Sequence, residues 1–186
     1  MKFLKYALLA STLIFASCSD DDDNTPEPVN EEEVITTLTV TLTNGNPDSP
    51  SDTVVMQYQD LDGDGPDAAT VTVSGSLNAN TVYDGSIVLL NETESPAENI
   101  TEEVEEEDDE HQFFYTVGSG LDVFTEYSNF DGDGNPLGTL FAINVGSASS
   151  GELTFTLRHE PNKPNTGLEN AGGETDIEVT FDVTVE

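Results

Sequence analysis

The chain contains two histidines, and each stands beside an acid: Glu110-His111 and His159-Glu160. Imidazole nitrogens together with carboxylates make a first coordination shell suited to zinc or copper, which Glu103, Glu102 or Asp109 could complete. Met56 is too isolated to supply a soft copper site. One cation can bind both rings only if His111 and His159 approach to within about 5 Å and face a common space. Histidines at strand edges beside acids are otherwise ordinary surface residues, and the spacing in sequence leaves both readings open.

Two further stretches have metal-loop character. Asp60-Leu61-Asp62-Gly63-Asp64-Gly65 carries carboxylates at the first, third and fifth positions and glycine at the sixth, as an EF-hand calcium loop does. Asn129-Phe130-Asp131-Gly132-Asp133-Gly134 repeats the form with Asn first. The twelfth position, where a bidentate Glu belongs, is Val71 in one and Leu140 in the other, and no helices flank either loop. Asp-Gly pairs are also the preferred chemistry of tight turns between strands, so calcium binding and plain turns are the two readings.

Catalytic constellations are missing from the sequence. It has no Gly-x-Ser-x-Gly elbow, no Gly-rich phosphate loop and no HExxH. Carboxylates are so numerous that choosing a glycosidase pair among them would be arbitrary. Arg and Lys, which usually stabilise oxyanions and phosphates, total only four. An enzyme is not expected.

The elements that must position these groups read as strands. From Val34, apolar Val34, Leu38, Val40 and Leu42 share one face with Thr36, and Ile35, Thr37, Thr39, Thr41 and Thr43 fill the alternate positions, as in a half-buried strand. Similar segments follow at Thr53–Tyr58, Thr70–Leu77, Val82–Leu90, Gln112–Val117, Leu121–Tyr127, Leu137–Val145, Glu152–Arg158 and Asp176–Val185. Most are separated by Gly, Asn, Asp or Pro clusters. The expectation is an all-β, immunoglobulin-like β-sandwich of about seven to nine strands. One helix is expected, starting at Pro96 with Ser95 as cap and Glu98 closing a capping box. It runs into Glu102–Glu110, where all but Val104 are acidic, and should fray by about Glu107, because negative charge opposes a helix C-terminus.

The formal charge of the 186-residue chain is −34. Such acidity repels nucleic acid and anionic headgroups and attracts cations, so nucleic-acid binding is set aside. Residues 1–17 carry Lys2 and Lys5, then an apolar run of about a dozen residues. That is an export signal, too short for the roughly 20 residues of a spanning helix. Ala16-Ser17-Cys18 resembles the lipobox of bacterial lipoproteins, in which cleavage precedes the cysteine and its thiol and new amino group are acylated. Phe15 stands where Leu is usual. Cys18 has no second cysteine with which to form a disulfide. Loss of residues 1–17 leaves two basic residues against 38 acids, so the mature charge is 2 − 38, or −36.

Residues 18–33, with Asp20 to Asp23, two prolines and Glu31 to Glu33, read as a disordered acidic tether. The sandwich is expected over 34–186. Acids just after the lipidated cysteine resemble the surface-export signal of Bacteroidota lipoproteins. The expected location is therefore the outer membrane, lipid-anchored through acylated Cys18 and facing the cell exterior, with a periplasm-facing placement as the alternative.

From Glu31 onward the chain resembles a group of Flavobacteria-type lipoproteins of unknown function. The resemblance is carried by Glu32-Glu33-Val34-Ile35-Thr36-Thr37, Leu90–Glu103, Glu110-His111-Gln112, Leu157-Arg158-His159-Glu160-Pro161-Asn162-Lys163 and Gly172-Gly173-Glu174-Thr175-Asp176. Members often bear the label "type 1 periplasmic binding fold". That label implies alternating strands and helices around a parallel sheet, which one short helix cannot supply, so it is set aside as a fold statement. The resemblance transfers no activity. The sequence therefore leads to a non-enzymatic surface binding protein, with calcium, zinc or copper as cations and an outer-membrane uptake receptor as a partner. The alternative is a structural or adhesive module without a metal.

Overall fold

The computed structural model describes residues 33–46, 52–63 and 65–186. The expected signal peptide, Cys18 and the tether up to residue 32 lie outside the described residues, as does Asp64. Glu33 belongs to the compact unit that continues to the C-terminus.

Among the described residues, nine strands form where the period-two pattern places them: β1 (Thr37–Asn44), β2 (Thr53–Gln59), β3 (Thr70–Val73), β4 (Val82–Leu90), β5 (His111–Val117), β6 (Val123–Tyr127), β7 (Leu140–Val145), β8 (Ser149–His159) and β9 (Glu174–Val185). The strand expected from Val34 begins at Thr37. Before it, Thr36 is held from the side, its N–H and its hydroxyl both donating to the Leu90 carbonyl. Among the same residues two helices interrupt the strands, α1 (Ile100–Glu106) and the single turn α2 (Leu168–Ala171).

All ladders are antiparallel, in one sheet ordered β3-β2-β1-β4-β7-β6 and another ordered β5-β8-β9. Setting aside β2 and β3, the strands taken in chain order become A to G, and the sheets read A-B-E-D and C-F-G. That is the immunoglobulin constant-type arrangement. The β2–β3 pair is inserted between A and B and extends the first sheet beyond β1.

The inner faces follow from the alternation. Leu38, Val40 and Leu42 of β1, Tyr83, Ile87 and Leu89 of β4, and Phe141 and Ile143 of β7 meet Phe113 of β5, Leu153, Phe155 and Leu157 of β8, and Val179, Phe181 and Val183 of β9 in one core. Aromatic rings bridge it, Tyr115 to Phe141 at 4.8 Å, Phe141 to Phe155 at 5.7 Å and Phe155 to Phe181 at 6.0 Å between centroids. Gly85 pairs with Phe141, and a Cβ at Gly85 would run into that ring, so the absence of a side chain makes room for the aromatic stack.

The helix expected from Pro96 begins instead at Ile100, after Asn99, with no side-chain cap bond. The Glu98 amide and carbonyl are committed to the Asn91 carbonyl and amide, which closes the 91–98 segment as a loop and denies the capping box its helix. The C-terminal end lies at Glu106, where the acidic run stops it. α1 buries Ile100, Thr101 and Val104, and the Thr101 hydroxyl accepts a hydrogen bond from the Leu89 amide of β4 at 2.7 Å. α1 lies in the B–C connection and α2 in the F–G connection, so both flank the same end of the C-F-G sheet.

Candidate metal centre

At that end of the sheet the first residue of β5 and the last residue of β8 are direct cross-strand partners, and they are His111 and His159. Both continue the inward-facing alternation, His111 with Phe113 and Tyr115, and His159 with Leu157 and Phe155. Both are buried. Their ring centroids are 4.6 Å apart. The sequence brought two histidines to attention, and the strand register places them side by side.

β9 supplies a carboxylate by breaking its own alternation. Ile177 pairs with Leu157, but Thr175 pairs with Arg158, so Asp176 is the extra residue of a β-bulge. A bulge re-aims a side chain. Strict alternation from Ile177 would send Asp176 to solvent, whereas its side chain is fully buried, with Oδ2 4.0 Å from His111 Nε2 and Oδ1 3.8 Å from His159 Nδ1. Glu33, on the segment that leads into β1, joins the cluster, its Oε1 3.7 Å from His111 Nε2.

The histidine chemistry favours coordination. His111 Nδ1 lies 3.2 Å from the Glu107 carbonyl at the end of α1. A carbonyl only accepts, so Nδ1 carries the proton and the neutral ring turns a lone pair at Nε2 toward Glu33 and Asp176. A second hydrogen bond of this kind is what orients a metal-binding imidazole. Burial holds His111 below the usual histidine pKa, and the neighbouring His159 ring adds to this against the Glu107 hydrogen bond, so the neutral ring is favoured. His111 Nε2 and His159 Nδ1 are both buried with no hydrogen-bond partner among the described residues. Buried polar atoms in that condition are uncommon and point to a ligand.

Burial raises the Glu33 carboxyl above its usual pKa, and the charges of Glu103, Asp176 and Glu107 add to the rise, while His159 opposes them. A tetrahedral zinc shell with bonds of about 2.0–2.2 Å separates its ligand atoms by about 3.4 Å. The observed 3.7–4.0 Å separations would close to that with shifts of a few tenths of an ångström. Glu33, His111 and His159 can each offer one ligand atom within 4.8 Å of the others, and Asp176 lies 3.8–4.0 Å from both histidines, so two histidines and two carboxylates gather at this end of the sheet.

The other residues singled out from sequence fall differently. Glu110 and Glu160 gather with His159 in a second group on its exposed side, with Glu110 Oε2 3.9 Å from His159 Nε2. Glu103 joins neither group. It is exposed on α1, beside Glu98, Glu102 and Glu106, and acts on the centre only through its charge. Sequence reasoning missed Asp176 and Glu33. The bulge hides the first, and the acidic run Glu31 to Glu33 disguises the second as spacer.

The Asn129–Gly134 loop uses its calcium-like groups on itself. Asp131 Oδ1 accepts hydrogen bonds from the amides of Asp133 and Asn135, and Oδ2 accepts from Lys163 Nζ at 3.2 Å. Asn129 Oδ1 accepts from the amides of Gly138 and Leu140. The loop is a turn braced by a buried lysine, and Asp133 stays exposed. In the first loop, Asp62 Oδ2 accepts from the Asp67 amide, and Asp60 Oδ2 accepts from the Tyr58 hydroxyl at 3.3 Å. Among the described residues, neither loop contributes to a group of three or more ligands that converge as a metal site.

Among the described residues, no helix is long and apolar enough to cross a membrane. No protein-family model, no curated protein and no solved structure matches the chain.

Proposed function

We propose that the chain is a non-enzymatic binding lipoprotein, anchored in the outer membrane through acylated Cys18 and facing the cell exterior, whose sandwich holds a divalent transition cation between His111 and His159. The observation that carries the metal reading is the buried cross-strand histidine pair, whose Nε2 and Nδ1 have no hydrogen-bond partner among the described residues. Nitrogen-rich coordination favours zinc or copper over calcium, which prefers six to eight oxygens. The lipobox-like Ala16-Ser17-Cys18 supports the anchor, and the charge of −36 on the mature chain supports a partner that is cationic or is reached through a cation. An outer-membrane uptake receptor suits such a module as a neighbour.

A second reading has its own observation. Val82, Val88, Phe124 and Leu140 are exposed on the outer face of β4, β7 and β6, with Val82 and Phe124 both flanking Asn144 in register. Exposed apolar side chains on one face suit an adhesive or structural module.

Calorimetric titration of the purified protein with zinc, copper and calcium separates the two. The metal reading predicts binding of zinc or copper with one site per chain and a rise in melting temperature of roughly 5–10 °C at about 100 times the dissociation constant. His111→Ala and His159→Ala should abolish both. Heat and thermal shift absent with every cation would leave the adhesive reading.

A further inference from the structure

We infer that the cation is a structural clamp, coordinated by Glu33 and Asp176 as well as by the two histidines, which fastens the chain leading in from the anchor onto the C-F-G sheet. This rests on the proposed binding of a cation at the histidine pair.

The four groups come from four places: the lead-in to β1, the start of β5, the end of β8 and the bulge of β9. Each is buried or nearly so, since the side chain of His111 is 0% exposed, His159 7%, Asp176 0% and Glu33 12%. A closed shell of four protein ligands without an open position is the pattern of a structural site, whereas catalytic and exchanging sites keep a position for water or substrate.

Immunoglobulin domains often tie their sheets with a disulfide between strands B and F. A single cysteine makes that impossible within this chain. A centre of two histidines and two carboxylates would tie C, F and G to the segment before A by another chemistry, with binding free energy acting as folding free energy.

Glu33 is where such a clamp changes most. Past Thr36 the backbone is fastened by bonds to Leu90 and by the Asp60 amide on the Thr36 carbonyl. Before it, Val34 is 55% exposed, and the Glu33 carboxylate is the contact that reaches the centre. Glu103 of α1 and Glu107 at its C-cap act on that carboxylate with like charge. A divalent cation replaces this repulsion with attraction, so binding would draw the lead-in chain onto the domain and fix where the tether leaves it. Loss of Glu33 should spare the histidines and Asp176 as ligands but release the chain.

The test is zinc titration with hydrogen exchange on the purified protein, wild type against Glu33→Gln, with His111→Ala as control. Gln preserves the shape of Glu, so the zinc-free variant should melt like zinc-free wild type. The expected result is zinc affinity lowered at least about 10-fold in Glu33→Gln, with loss of the zinc-dependent protection of amides 34 and 35 seen in wild type. If wild type and His111→Ala show that zinc binds at the histidines, but Glu33→Gln keeps the affinity and protection of wild type, the clamp is wrong and the binding reading stands. If wild type takes up neither zinc nor copper when titrated with each, the binding reading itself fails, and the clamp with it.

Discussion

Arg158 of β8 pairs with Thr175 rather than Asp176 of β9, and this one-residue slip is what buries a carboxylate between two histidines. The Arg158 guanidinium donates to the Thr175 hydroxyl at the slip, so the bulge is held by side chains as well as by the ladder. The candidate centre therefore depends on the backbone of the F–G connection as much as on its ligands.

Gly173 gives the sharpest test of that dependence. It has φ +69°, a region that favours glycine, and a Cβ there would collide with the His159 carbonyl and approach Glu160. Gly173→Ala should destabilise the fold by about 1–3 kcal/mol and lower zinc affinity by at least about 10-fold, although no ligand is removed. Urea denaturation and titration calorimetry measure the two effects. Zinc affinity like that of wild type would mean that the end of β8 does not need this turn to place His159.

Lys163 and Asp131 give a prediction about stability rather than binding. The Lys163 ammonium donates to the Asp108 carbonyl at 2.6 Å and to Asp131 Oδ2 at 3.2 Å, with both side chains nearly fully buried. Lys163→Met leaves Asp131 buried without its cation and should cost about 3 kcal/mol. Burial pushes the Asp131 carboxyl up, but hydrogen bonds from Asn135 and the Lys163 charge outweigh it and hold the group below its ordinary value of 3.8. A carboxyl depressed in the folded state stabilises above its unfolded value. That contribution should disappear as pH falls from about 4 through the lower folded value. Urea midpoints measured against pH should fall in this window for wild type and less steeply for Asp131→Asn, and parallel curves would contradict the assignment.

The strands and their faces were legible because β-branched and aromatic residues alternate so regularly, most clearly from Ile177 to Val185. His111 and His159 were legible by residue type, and their mutual approach was not, since it depends on a β5–β8 register that joins residues far apart in the chain. Asp176 was illegible for the opposite reason: regular alternation assigns it to solvent, and only the bulge overrides that. At Ser95–Glu98 a sound local signal for helix gave way to a bridge between Asn91 and Glu98. At Asn129–Gly134 the Asp131 carboxylate of a calcium-like spacing braces a turn and accepts from Lys163, a partner distant in sequence that spacing alone does not reveal.

The anchor is testable without reference to the metal. Cys18→Ala should prevent acylation and move the protein from the membrane fraction to the soluble fraction, as read by fractionation and by the mass of the mature N-terminus. Retention in the membrane without acylation would overturn the lipoprotein reading, while leaving the sandwich and its histidine pair unaffected.

X-ray absorption at the zinc edge of the loaded protein reads the coordination shell itself. The expected result is a first shell of about four nitrogen and oxygen atoms at about 2.0–2.2 Å, with the outer-shell scattering of two imidazole rings, and no zinc retained in this environment by His159→Ala. An all-oxygen shell without imidazole scattering would place any bound zinc on the acidic surface, and would contradict a metal centre at His111 and His159.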